Sequence, residues 1–332
     1  MNDFVIAIGG ADAGETPFMP FVGKRFDGVK CAAWARLMLE IALLRCGFDV
    51  YDRHTPVTDT QELILQSNRH AADCIVVLSC GAFGSRKSFN DVRGSAVKYS
   101  PGRFGAKSRE IAEDVCAKVK SLGPCSAVTL NNEFNGAACP VIVINMGYLT
   151  NFDEAKLLFD LDYIHNIAEY AAMGICEYFG MPYIPLSPAA YARFNVKPGM
   201  RGKNVKLLQA ALILNGYPVV IDGVYGKSTE IAVKEFYINN GGPDNILHDL
   251  LFVAPCELPS GSKHNGVLYL QRKLISKLYS SPDSGTLNED TISAVSEFLT
   301  DTENTQYISN NGITKEAFKL LAEIGGGRPR LF

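Results

Sequence analysis

The chain lacks a long apolar run. Its longest stretches, Cys74–Leu78 and Val141–Ile144, fall far short of the ~20 residues that a membrane-spanning helix needs. It also lacks a basic excess: 32 Lys+Arg face 35 Asp+Glu, for a net charge of -3, and no basic stripe is visible. That excludes a general nucleic-acid binder. No basic leader precedes the first apolar segment, and Met1–Ile8 reaches Gly9-Gly10 too soon for a signal-peptide core. Synthesis in the cytosol without a classical export signal is therefore expected. CxxC and zinc-knuckle spacings are missing as well. The nine cysteines are an odd number: eight precede residue 180 and Cys256 stands alone. Several sit inside apolar runs, where Cys behaves as a small hydrophobe, so reduced thiols are expected rather than a disulfide framework. What is present is ordinary globular composition, 47% hydrophobic and 20% charged, in a length of 332 residues that suits two or three domains.

The first half alternates strand and helix signals. Phe4–Ile8 is an apolar run ending in Gly-Gly, and Val29–Cys46 is a helix candidate stopped at Gly47. Phe48–Tyr51 reads as a strand, Thr58–Ala72 as a helix and Asp73–Leu78 as a buried strand. Ser108–Leu122 is helical, Val141–Ile144 is a strand, and Asp153–Phe159 and Ile164–Tyr178 are closing helices. This order predicts an α/β fold with an open twisted sheet and helices on both faces. The segment Met181–Tyr191 holds Pro182, Pro185 and Pro188, which break helix and mark a linker over 181–196. A repeat follows, over 197–258 and 259–332. Gly199-Met-Arg-Gly202, Val205, Leu208-Gln209, Asp222-Gly223-Val-Tyr225-Gly226, Thr229 and Ala232-Val233-x-x-Phe236 form the first copy. Gly266-Val267, Leu270-Gln271, Ser284-Gly285-Thr-Leu287-Asn288, Thr291 and Ala294-Val295-x-x-Phe298 form the second. A short third helix is expected in each, at Leu247–Leu251 and Lys315–Leu321, which makes two small three-helix domains.

This repeat resembles the peptidoglycan-binding domains found beside many bacterial cell-wall hydrolases. The first copy matches nearly every position of their pattern, whereas the second has lost the Asp-Gly-x-Tyr-Gly core. The resemblance implies peptidoglycan glycan or stem peptide as partner, with Tyr225, Asp222, Gln209 and Lys227 as candidate binding residues. Tyr225 has two readings: it plugs the top of a three-helix core, or it presents a flat face to a sugar or peptide. The aromatic character of that family position favours the plug.

Residues 4–180 resemble the type-3 zinc-dependent N-acetylmuramoyl-L-alanine amidases. Five segments carry the likeness, in the family's order: Gly9-Gly10-Ala-Asp12-Ala-Gly14, Asn68–Asp73 with the strand after it, Ser108-Arg109-Glu110-Ile-Ala112, Pro140–Asn151, and Asp153–Leu158 with Tyr163. The family holds zinc through a His, a Glu and a second His, and uses another Glu as general base. Here those positions carry Ile8, Asp27 (in a loosely aligned region), Ser79 and Asn145. Ile offers no lone pair and an amide accepts no proton at neutral pH. The expectation is an inactive, amidase-like cell-wall binder with no metal and no intact catalytic set. Two other readings stand beside it: an active amidase with zinc in a rebuilt site, and a structural part of a phage-tail-like or spore assembly. Action at the cell wall after release, or within a particle or spore, fits the missing leader. Cys80, beside Ser79 and within reach of Asp12 and Asp27, is a candidate replacement nucleophile. None of His54, His70, His165, His248 and His264 falls at a cleft motif position to activate it. The basic stretch Arg86, Lys87, Arg93, Lys98, Arg103, Lys107 and Arg109 reads as an irregular, solvated insertion, or as a loop facing a partner or glycan.

Overall fold

The computed structural model describes residues 4–11, 14–19, 25–51, 59–187, 190–191, 194–240, 246–251 and 255–323. Contacts divide the chain into two compact units. The first comprises residues 1–18, 25–158 and 163–186, and the second comprises 19–24, 159–162 and 187–332. The division at 186/187 falls inside the segment expected to be a linker.

The first unit is built on β1 (Val5–Gly10), α1 (Gly28–Arg45), β2 (Asp49–Tyr51), α2 (Thr60–Arg69), β3 (Cys74–Gly81), β4 (Ser95–Tyr99), α3 (Gly105–Val119), β5 (Cys125–Thr129), β6 (Val141–Tyr148), α4 (Phe152–Leu158) and α5 (Leu161–Phe179). The six strands run in the order β2-β1-β3-β6-β4-β5. β2, β1, β3 and β6 are parallel; β4 lies antiparallel to β6, and β5 parallel to β4. The central strands are apolar along nearly their whole length, because both faces are covered. Ala7, Ile75, Val77, Val141 and Val143 pack on one face with Leu63, Ile64 and Phe134. Ile6, Val76, Leu78, Ile142 and Ile144 alternate to the other.

Local chemistry sets the helix ends. Asp27 caps α1 by accepting from Val29 N at 2.8 Å, and Asp59 caps α2 by accepting from Glu62 N at 2.9 Å. α1 ends at Cys46, and Gly47 follows with φ 97°, a left-handed position that suits glycine. α1 also buries Arg45, whose guanidinium pairs with Glu169 of α5 and donates from Nε to the Ile184 carbonyl at 2.8 Å. Tyr183 donates its hydroxyl to the same carboxylate. A buried ion pair thus fastens the start of the proline-rich segment to the first unit.

Two strands were not anticipated. β4 lies in a region read as an irregular insertion, and β5 lies between the expected helix ending at Leu122 and the expected strand at Val141, where no element was expected. The correction has a physical reason: only Val97 is buried in β4 and no residue is buried in β5, so the hydrophobic pattern is too sparse to announce a strand. Backbone pairing of Ala96–Tyr99 with Ile142–Asn145 creates it.

The second unit holds α6 (Lys203–Leu214), α7 (Lys227–Asn240), α8 (Ile246–Leu251), β7 (Leu258–Pro259), α9 (Asn265–Ser276), α10 (Glu289–Asp301), β8 (Gly312–Ile313) and α11 (Lys315–Glu323). The two copies share one hydrogen-bond frame. Gly199 N donates to Tyr225 O at 3.0 Å and Tyr225 N to Met200 O at 2.9 Å; Gly261 N donates to Leu287 O and Leu287 N to Ser262 O, both at 2.8 Å. Leu287 therefore holds the place of Tyr225. No helix among the described residues is long and apolar enough to cross a membrane.

One close contact in the first unit gives a test. A Cβ on Gly174 of α5 would lie 2.5 Å from Val115 Cα of α3, a backbone atom that has nowhere to move. Gly174→Ala should therefore cost about 1–3 kcal/mol despite alanine's better helix propensity. Chemical denaturation of the full chain measures it, and an unchanged midpoint would show that the helices are not held this close.

Candidate functional site at the carboxyl end of the sheet

In open α/β sheets the carboxyl ends of the strands carry the ligand site. Here that end is reached by Ser79 of β3 and Asn145 of β6, which are register partners. Asn145 is buried, and among the described residues its Oδ1 has no hydrogen-bond partner. Gly81 makes room for it, since a Cβ there would come within 2.9 Å of Asn145 Nδ2 and of the Tyr148 ring. Among the described residues, the Ser79 hydroxyl makes a long, 3.4 Å bond to the Cys80 carbonyl. Ile8 lies elsewhere. It is buried within β1 opposite Val76, three residues below Ser79 along β3. The chain after β1 reaches the level of Ser79 at Ala11, whose N–H donates to Leu78 O at 3.0 Å. Asp12, the next residue, lies outside the described residues. Asp27 spends its carboxylate on the start of α1 and forms a backbone bridge with Glu15.

The surrounding groups are polar but committed. Glu154 accepts from Gly94 N and Tyr148 N, each at 2.7 Å. Tyr163 donates to Met146 O at 3.0 Å, and burial pushes its phenol up to about 12. Cys80 lies against Cys31. Arg86, at φ 57°, lays its guanidinium across Gly14, where a Cβ would meet Nη1 at 2.1 Å. Phe83 of the same loop is 58% exposed. Sequence reading missed both roles, because a basic run and a glycine give no hint of stacking on each other. His165 sits 3.7 Å from Glu169 on α5, and His70 stacks on Tyr51. His54 and the His248 side chain are outside the described residues. Among the described residues, no three His, Cys, Asp or Glu side chains gather as a metal would require.

In the second unit, Gln209 and Asp222 meet in a turn. Gln209 is 1% exposed; its Nε2 donates to Asp222 Oδ1 at 2.8 Å, Val224 O at 3.2 Å and Thr229 Oγ1 at 3.1 Å, and its Oε1 accepts from Gly223 N at 2.9 Å. Gln271 repeats this with Ser284, Thr286, Thr291 and Gly285. Partial burial pushes the Asp222 carboxyl up, but hydrogen bonds from Gln209 and Val224 N, with Arg201 nearby, outweigh it and hold the group below its ordinary value. Tyr225 is 7% exposed and Lys227 is exposed at the start of α7. A groove of about 190 Å³, which the sequence did not reveal, is lined by Tyr217, Glu235 and Asn239 from the first copy and Lys263, His264 and Thr286 from the second.

Residues 35–177 match the N-acetylmuramoyl-L-alanine amidase family, and residues 201–243 match the peptidoglycan binding domain family. The chain carries an amidase-family domain followed by a peptidoglycan-binding domain. The amidase-family match includes Ser79 and Asn145 and begins after Ile8 and Asp27. Among solved structures, the N-acetylmuramoyl-L-alanine amidase of Clostridium difficile 630 is 20% identical, over 54% of this chain and 98% of that one, with a TM-score of 0.48. The catalytic domain of CwlV, from Bacillus (Paenibacillus) polymyxa, is 19% identical over 55% and 100%, with a TM-score of 0.45. The CwlD amidase of Clostridioides difficile, solved in complex with the GerS lipoprotein, is 20% identical over 54% and 99%, with a TM-score of 0.41. None of the curated proteins compared matches this chain.

Two outcomes follow for the peptidoglycan-binding domain. Tyr225→Ala should cost about 3–5 kcal/mol, as a buried aromatic does, while Tyr225→Phe should be nearly silent. Intact stability with lost wall binding would make Tyr225 a ligand contact instead. A depressed carboxylate contributes stability above its unfolded value that is lost as pH falls through its folded value. Thermal melts should thus show Asp222→Asn least stable relative to wild type near neutrality, with the gap closing below the ordinary carboxylate range. A gap that stays constant with pH would remove Asp222 from the turn's energetics.

Proposed function

We propose that the protein binds peptidoglycan and that its amidase-family domain holds the wall without cutting it. The observation that carries this reading is the pairing of Ser79 with Asn145 at the carboxyl end of the sheet. A catalytic zinc takes three nitrogen, sulfur or carboxylate ligands, and hydrolysis needs a base that accepts a proton at working pH. A serine hydroxyl and an asparagine amide are poor substitutes for an imidazole and a carboxylate, so the residues present do not fit the family's metal. Without the metal, water keeps its high pKa and no nucleophile forms. What remains is polar: the Asn145 carbonyl, buried and without a partner among the described residues, and the half-buried Ser79 hydroxyl, which donates or accepts. Those are groups suited to holding a peptide bond. The linked peptidoglycan-binding domain raises the effective concentration of wall at those groups.

The test is incubation of the purified full chain with insoluble peptidoglycan, with and without zinc. The chain should sediment with the wall, and neither soluble muropeptides nor new free amino termini should appear. Zinc-stimulated release that a chelator abolishes would overturn the inactive reading. A chain that stays in the supernatant would overturn the binding reading.

A further inference from the structure

Cys31 stands in the first turns of α1, four residues past Asp27, and Cys80 follows Ser79 at the end of β3. Their Sγ atoms are 3.4 Å apart, and both side chains are buried, Cys31 at 0% and Cys80 at 4% exposure. A disulfide needs its sulfurs at about 2.05 Å, and at 3.4 Å the two thiols are already in contact with each other. The contact belongs to a wider pattern. The thiols of Cys46 and Cys176 also lie close enough to shift each other's titration, and the Cys116 thiol lies close enough to Cys125 to push its thiol up. Six of the eight cysteines before residue 180 thus face a second thiol, although all nine are free.

We propose that Cys31 and Cys80 form a disulfide when the chain folds in an oxidising environment, stapling the start of α1 to the end of β3. The oxidant is a small-molecule disulfide. One cysteine, as thiolate, attacks it, forming a mixed disulfide and releasing one small thiol. The second cysteine then attacks the protein sulfur of that mixed disulfide and releases the other small thiol. Two protein thiols and one small disulfide become one protein disulfide and two small thiols, with two electrons passing to the oxidant. Burial pushes the Cys31 thiol well up, so the folded, reduced domain resists attack and the bond closes during folding or on opening. The bridge joins residues 49 apart in sequence, which removes conformational freedom from the unfolded chain. It also fixes the spacing between Asp27 and Ser79 at the candidate site, whether or not that site is hydrolytic.

The test uses the full chain, unfolded in reductant and refolded in a mixture of oxidised and reduced glutathione. Remaining thiols are then alkylated and the digest is read by mass spectrometry. The expected result is a cross-linked peptide pair containing Cys31 and Cys80. The oxidised chain should melt roughly 5 °C or more above the same chain kept reduced. Cys31→Ser and Cys80→Ser should each abolish that difference if they fold, and the peptide map of the unsubstituted chain decides the matter if they do not. Recovery of both cysteines alkylated in refolded, soluble protein overturns the proposal. So does either cysteine bridged to a different partner.

Discussion

The pairing of β3 with β6 is the constraint on which the candidate site depends. Ile75–Leu78 lie beside Val141–Ile144, and each residue is buried. A slip of one residue would turn every one of these side chains to the opposite face, so the register is held by the whole core on both sides of the sheet. That register, and nothing local to the site, sets Ser79 beside Asn145. β1 adds in parallel next to β3 and brings Ala11 to the same level, while β4 pairs antiparallel on the far side and closes Asn145 against Ala96.

In the second unit a single buried amide does comparable work twice. Gln209 and Gln271 each satisfy the backbone of a glycine turn and reach the threonine that opens the next helix. A buried polar side chain is tolerated only when its partners are in place, and both glutamines have theirs. Gly223 and Gly285, at φ 70° and 71°, give each turn its left-handed step. The copies can then differ around this frame: Asp222 against Ser284, Tyr225 against Leu287. The turn at Ser284–Gly285 keeps the same geometry because Gln271 and Gly285 stand there as Gln209 and Gly223 do in the first turn.

Polar burial also organises the first unit. Arg45 costs desolvation on α1, and Glu169, Tyr183 and the Ile184 carbonyl offset it. The proline-rich segment consequently begins as part of the first unit, although its sequence reads only as a helix-breaking stretch. The basic loop before β4 is similarly tied from outside by Thr150 and Asn151, while Asn90 bonds across the loop to the Phe83 carbonyl.

The sequence by itself determined the alternation of strands and helices, the fold class and the amidase and peptidoglycan-binding signatures. Those are carried by apolar periodicity, helix caps and short motifs, all of which act over neighbouring residues. The likeness to the amidase family pointed to Ser79 and Asn145, each of which follows an apolar run that marks its strand. Tertiary structure alone decided the rest. β4 exists because β6 offers it backbone to pair with, and β5 because β4 does, not because their side chains are apolar. Ile8 sits in the strand interior because parallel pairing, rather than motif position, sets its height along the sheet. Gln209 became a turn lock, and Cys31 met Cys80, through contacts between residues 14 and 49 positions apart. No local pattern encodes such a contact: it appears only once the core has fixed both partners in space.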